Sequence, residues 1–163
     1  MRLRFMIAPL AILPFAGGAF AADDPRAVAE AFCKARLAGD ETATLALLRP
    51  SLVKMIAEAK ARSDVIAEAT PDEKPPFGDG IPYQAFPDVA QGCEPGRTRD
   101  KSGSIEVEVT YLFPETPNAG WTDRLKLVPK DDRLLVDDIL FADVANGEPD
   151  QGLRRALFEA FDQ

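Results

Sequence analysis

Histidine is absent from the 163 residues, and cysteine occurs only twice. The first absence removes the side chain that most often works as a general base near neutral pH and as a zinc ligand. The second leaves no Cys-x-x-Cys pair and no Cys/His cluster, so neither a redox motif nor a zinc site has the residues it needs. No metal and no cofactor are expected. An excess of positive charge is also missing, because 19 Lys and Arg stand against 27 Asp and Glu, a formal net charge of −8. Nucleic acid and anionic membranes are bound through basic patches that displace counterions, so neither is expected as a partner. A basic protein or a small ligand remains admissible.

A long apolar run occurs only at the start, "MRLRFMIAPLAILPFAGGAFAADDP". Arg2 and Arg4 form a basic n-region, the run begins at Phe5, and Ala19-Phe20-Ala21 is an A-x-A cleavage signal. Residues 1–21 are therefore expected to be a signal peptide cut after Ala21, with residues 22–163 as one exported, periplasmic or secreted domain. An uncleaved anchor is the alternative, but the run is of about minimal spanning length and is broken by Pro9 and Pro14. Ala22, not Cys, follows the cut, which argues against a lipoprotein. Loss of Arg2 and Arg4 leaves 17 basic residues against 27 acidic ones, a net charge of −10. In an oxidising compartment the even count of Cys33 and Cys93 points to one disulfide.

Along the remaining chain the hydrophobic period changes once. "DDPRAVAEAFCKARLAGD" carries Asp24 as cap, Pro25 at the first helical position and Gly39 as stop, with Val28, Ala31, Phe32 and Ala35 at helical spacing. "ETATLALL" is a short second helix ending before Pro50. Ser51 is expected to cap a third, whose Leu52, Met55, Ile56, Ala59 and Ile66 form one stripe. From Pro71 to Pro87, "PDEKPPFGDGIPYQAFPD" is too rich in Pro and Gly for a helix or a central strand and too apolar for a disordered linker. An ordered loop anchored by Phe77, Ile81, Tyr83 and Phe86 is expected. Such loops often carry function, so Phe77, Asp79, Tyr83 and Phe86 are the candidate binding residues.

After this loop the period is two. A strand over about Ala90 to Arg99 turns at Asp100 to Gly103. In "GSIEVEVTYLFP", Ile105, Val107, Val109, Tyr111 and Phe113 share one face, and in "WTDRLKLV" so do Trp121, Leu125 and Leu127. "RLLVDDILF" is the last strand, and "GLRRALFEAF" is an amphipathic helix with Leu153, Leu157 and Phe161 on one side. Helices first and hairpin-linked strands later predict an α+β domain, with an antiparallel sheet covered on one face by helices.

The aspartates of "LVPKDDRLLVDDILFAD" raise the question of chemistry. Asp131 and Asp132 belong to a turn, and Asp137 and Asp138 point to opposite faces, so adjacent pairs cannot share a metal. Parity groups Asp138 with Leu134, Val136 and Leu140. With a two-residue turn, Lys130 pairs with Arg133, Leu127 with Val136 and Leu125 with Asp138, while Asp123 faces Leu140 on the same side. Two carboxylates on an apolar face would raise at least one pKa, which makes Asp138 and Asp123 the catalytic candidates. The competing expectation is a bulge that rotates the strand, or neutralisation by Arg99, Arg124 or Arg133.

Taken in order, "FCKARLAGD", "RPSLVKMI", "DGIPYQAFPD", "VTYLF", "WTDRLKLV" and "LLVDDILF" resemble the exported bacterial family called domain of unknown function 3828. That family is similar to the nuclear transport factor 2-like, or cystatin-like, cone fold. The resemblance implies helices packed into the concave face of a curved antiparallel sheet, often with a pocket, and implies no activity. Three functions follow as expectations. The first is a non-catalytic binding or accessory module that presents the Pro/Gly-rich loop and the sheet mouth to a protein or small ligand. The second is an acidic immunity or inhibitor protein against a basic toxin or wall hydrolase. The third is an isomerase- or dehydratase-like enzyme, with Asp138 or Asp123 as base and Tyr83 or Tyr111 as hydrogen-bond donor.

Overall fold

Strand residues that alternate in hydropathy need a second layer over their apolar face, and the helices of the N-terminal half supply it. The computed structural model describes residues 24–142 and 151–162. The expected signal peptide and Asp143 lie outside the described residues. In chain order the elements are α1 (Pro25–Leu37), α2 (Glu41–Ala46), α3 (Pro50–Ala69), β1 (Gly92–Lys101), β2 (Ser104–Leu112), β3 (Trp121–Lys130), β4 (Arg133–Leu140) and α4 (Leu153–Glu159). The strands form one curved antiparallel sheet in the order β1-β2-β3-β4. The protein is thus α+β, with helices before the sheet and one after it.

Local chemistry accounts for most helix ends. The Asp24 side chain accepts from the Arg26 N–H at 3.0 Å, and that of Asp40 accepts from the Ala43 N–H at 2.9 Å. These contacts satisfy N–H groups that the first helical turn cannot pair. Gly39, with φ of 64°, takes the left-handed position after α1. The start of α3 differs from the expected Ser51 cap: Arg49 holds the cap position and Pro50 is the first helical residue. Arg49 is held extended because its N–H donates to the Val136 carbonyl at 2.9 Å, while the Val136 N–H donates to Leu47 at 2.9 Å. The α2–α3 connection therefore pairs with the outer edge of β4. Further along, the Phe141 N–H donates to the Gln151 carbonyl at 2.8 Å, so a second segment covers the same edge. Both pairings occupy backbone groups that would otherwise template association.

Register brings the apolar positions together. Val107 pairs with Leu125, Ile105 with Leu127 and Tyr111 with Trp121. These side chains pack against Phe32 of α1, and against Leu52 and Ile56 of α3, in one buried core. β1 begins at Gly92 and runs to Lys101, so the β1–β2 turn contracts to Ser102-Gly103, with Gly103 at φ of 79°.

The β3–β4 hairpin departs from the expected register. Lys130 pairs with Arg133 and Leu127 with Val136, as the two-residue turn requires, but Lys126 then pairs with Asp138 and Leu125 with Ile139. Asp137 is an extra residue in β4, a bulge that reverses parity beyond it. Leu125 does not face Asp138, and Leu140 lies opposite Arg124 instead of Asp123. The physical reason is that the shift keeps both Val136 and Ile139 fully buried. An unbroken strand would have placed a carboxylate where Ile139 now packs.

Cys33 of α1 and Cys93 of β1 form a disulfide, with Cα atoms 5.3 Å apart and a sequence separation of 60. It fastens a helix to an edge strand, and such a bond fits an oxidising, exported environment. Replacing both cysteines by alanine is expected to lower the unfolding free energy by about 4 kcal/mol, the chain-entropy value for such a loop. Urea unfolding of the oxidised protein and the variant measures this directly; a loss below about 1 kcal/mol would mean that α1 and β1 hold together without the bond.

Candidate functional site

The two candidate catalytic carboxylates are both engaged in holding backbone. Asp123 lies on the inner face of β3 and is fully buried. Its Oδ2 accepts from the Ala85 N–H at 3.0 Å and from the Trp121 indole N–H at 3.4 Å, and its Oδ1 accepts from the Ala142 N–H at 2.9 Å. It therefore ties the end of the Pro/Gly-rich loop and the exit of β4 to the middle of the sheet. Burial pushes its carboxyl up, and the bonds from Ala142, Ala85 and Trp121 act against that rise.

Asp138 serves a different terminus. Its Oδ1 accepts from its neighbour Ile139 at 2.9 Å and from the Arg154 N–H at 3.1 Å. Arg154 is the second residue of α4, whose cap residue, Gly152, has no side chain to offer. A carboxylate from β4 thus replaces the missing cap. The approach is close, since a Cβ on Gly152 would stand 2.9 Å from Asp138 Oδ2. Burial raises this carboxyl too, opposed by the Arg154 and Ile139 bonds and the Arg154 charge.

Asp137, the bulge residue, collects the cations. Its carboxylate lies 3.1 Å from Arg49, 3.0 Å from Arg154 and 3.7 Å from Lys126. Arg154 also donates to the Asp137 carbonyl at 2.7 Å, to Ser51 Oγ at 3.0 Å and to Met55 Sδ at 3.0 Å. Arg99 and Arg124, expected near the aspartates, pair instead with Glu108 at 2.8 Å and Glu106 at 3.7 Å. Nothing in the sequence pointed to Arg154, whose role depends on where α4 docks.

The loop candidates separate. Phe77 packs on the core and against Phe161, with ring centroids 5.6 Å apart, and its N–H donates to Ser63 Oγ at 3.1 Å. Tyr83 is buried, its hydroxyl 3.4 Å from Glu41 Oε1. Burial and the Glu41 carboxylate hold that hydroxyl in its neutral form. Asp79 is exposed and paired with Lys74. Phe86 sits edge-on to Trp121 at 5.1 Å and remains partly open to solvent. Among the described residues no group of three or more His, Cys, Asp or Glu side chains is placed to hold a metal ion.

Where the loop returns past the end of α1, it borders a cavity of about 400 Å³ that Tyr111 of β2 also lines. Gln84 shapes the rim by donating from Nε2 to the Phe86 and Asp88 carbonyls, both at 2.8 Å. Its Oε1 accepts a long bond of 3.4 Å from Arg36, whose guanidinium also lies over the Tyr83 ring, 4.9 Å from the centroid. Two buried atoms here have no hydrogen-bond partner among the described residues, Arg36 Nε and Tyr111 Oη. Burial, then the Asp123 charge, push the Tyr111 hydroxyl up, with Arg36 opposing, so it stays a neutral donor near pH 7. Phe77 and Asp79 lie away from this cavity, whereas Gln84, next to Tyr83 in the chain, lines it. The sequence pointed to Tyr111 as a face residue and as a hydrogen-bond donor of the enzyme alternative, and offered no signal for Arg36, a cation in the last turn of a helix.

Comparison with protein-family models, with curated proteins and with solved structures finds no match to this chain.

Two measurements test the structural roles of the carboxylates. Asp123→Asn turns an amide N–H₂ toward one of the backbone donors, and a loss of about 1–3 kcal/mol in urea unfolding is expected. Asp138→Asn keeps an oxygen for Arg154 and Ile139 but removes a titration. A carboxyl whose folded-state pKa is raised contributes stability that is complete below the ordinary aspartate value of about 3.9 and is lost as pH rises through the folded-state value. Relative to the native protein, Asp138→Asn should therefore gain stability as pH rises from about 4 toward neutrality. A flat difference across that range would show that Asp138 titrates normally.

Proposed function

We propose that this protein is an exported, non-catalytic binding module whose ligand site is the cavity between the end of α1, the loop at Gln84 and Tyr111. One observation carries this: two residues that line that cavity, Arg36 and Tyr111, each hold a buried donor, Arg36 Nε and Tyr111 Oη, without a partner among the described residues. A buried donor left unpaired costs about 1–3 kcal/mol, so a ligand that supplies an acceptor recovers what the free protein forgoes. Export rests on the N-terminal sequence together with the disulfide. A non-catalytic role is favoured because both candidate bases, Asp123 and Asp138, already accept backbone N–H bonds. The resemblance to domain of unknown function 3828 and to the nuclear transport factor 2-like cone supports the same reading, since such cones often leave a pocket.

Trp121 is the sole tryptophan and stacks on Tyr111, with centroids 4.9 Å apart, so its fluorescence reports on a residue that lines the cavity. Screening a chemically mixed fragment set by Trp121 fluorescence and amide NMR is expected to yield binders that perturb Arg36, Gln84 and Tyr111 and are recovered chemically unchanged. Binders that all map elsewhere, or none at all, would sink the assignment.

A further inference from the structure

We propose that the cavity takes a small monocarboxylate with an apolar body, its carboxylate on Arg36 and Tyr111 and its body over Leu37 and Val89. This rests on the cavity being the protein's ligand site, and it specifies what the site selects.

Polarity comes first. A guanidinium can only donate, so the group that completes Arg36 must accept, and the protonated Tyr111 hydroxyl can donate to that same group. Arg36 has no carboxylate within 4 Å among the described residues, although the chain carries 27 acidic side chains. An uncompensated guanidinium prefers a charged acceptor to a neutral one, and its planar fork matches a carboxylate.

Charge number follows from the surroundings. Asp88 lines the same cavity, and the Asp123 charge acts on the Tyr111 hydroxyl. With one cation at the site and a net charge of −8 overall, a single negative charge is balanced and a second is repelled. This disfavours phosphate and dicarboxylates.

The apolar body follows from exposure. Val89 is 90% exposed and Leu37 46% exposed, and both line the cavity. Of the five large apolar side chains exposed among the described residues, two thus line this one cavity. Scattered singly they would carry no meaning, but grouped beside unpartnered donors they form the second half of an amphipathic site. Access requires Arg36 to leave Gln84. Their bond is 3.4 Å, beyond the usual range for N–H···O, so breaking it forfeits little.

The test titrates the mature protein, followed by Trp121 fluorescence and by thermal unfolding, with butanoate, hexanoate and benzoate, their three primary amides, and inorganic phosphate. Carboxylates are expected to bind about tenfold or more tightly than their amides, and hexanoate more tightly than butanoate. Arg36→Gln is expected to weaken carboxylate binding by about tenfold, and Tyr111→Phe by several-fold, without loss of melting temperature because the deleted hydroxyl had no partner. Val89→Ser, at an exposed position that cannot unfold the chain, should weaken hexanoate more than butanoate. Amides that bind as well as carboxylates, phosphate that binds more tightly than either, or unchanged affinity in Arg36→Gln would overturn the ligand class while leaving the site in place. If neither acids nor amides nor phosphate bind, both the ligand class and the site assignment fall.

Discussion

Three segments of this protein meet at one buried carboxylate. The hydrophobic core joins the helices to the sheet, but it says little about where an irregular loop rich in proline should end. Asp123 supplies that information, because a carboxyl group inside an apolar layer is tolerable only if its oxygens are paired. The Ala85 N–H, the Trp121 indole and the Ala142 N–H fill them. With Ala85 anchored, Gln84 is held over the end of α1, and the cavity beneath it acquires its shape. Burial that looks at first like the tuning of a catalytic base is here the cost of fixing a loop.

The bulge in β4 performs a related task at the sheet edge. A strand bearing Asp137-Asp138 next to Ile139 cannot keep strict alternation without burying a charge or exposing an isoleucine. One extra residue resolves the conflict, leaving Val136 and Ile139 in the core. The displaced carboxylates then find work on the outside: Asp137 gathers Arg49, Arg154 and Lys126, and Asp138 caps a helix that has glycine at its own cap. Two segments pair with the same edge, so the last strand is finished by the chain itself and not left open to other chains.

Charge is distributed unevenly in consequence. Most of the described cations sit beside carboxylates on the sheet edge, its outer face or the helix surfaces, whereas Arg36 lies over a tyrosine ring and shares only a long bond with Gln84. Arg62 also lies over a ring, that of Phe161, but among the described arginines it is Arg36 that has a buried side-chain nitrogen without an acceptor. Its neighbours Leu37 and Val89, open to solvent, and Tyr111, closed from it, give a partner two unlike ends.

Much of the fold was legible in the residues themselves. Period-two runs in β2 and β3 assigned the inner faces correctly from Ile105 to Leu127, because alternation is a local property of extended chain. The short β3–β4 turn, the helix starts at Pro25 and Glu41 and the Cys33–Cys93 pair were equally local or compositional. Three features were not. The bulge at Asp137 arises from competition between two strands for core positions, and no window of sequence contains both. The pairing of Arg49 with Val136 moved the cap of α3 from Ser51 to Arg49, a contact between residues far apart in the chain. The cavity joins a helix end, a loop and a strand, so its donors Arg36 and Tyr111 became neighbours only on folding. Sequence by itself determined which residues alternate, turn and cross-link, since those depend on nearest neighbours and composition. Tertiary structure alone decided which carboxylates became structural and which donors were left for a ligand, because both depend on what each side chain meets across the core.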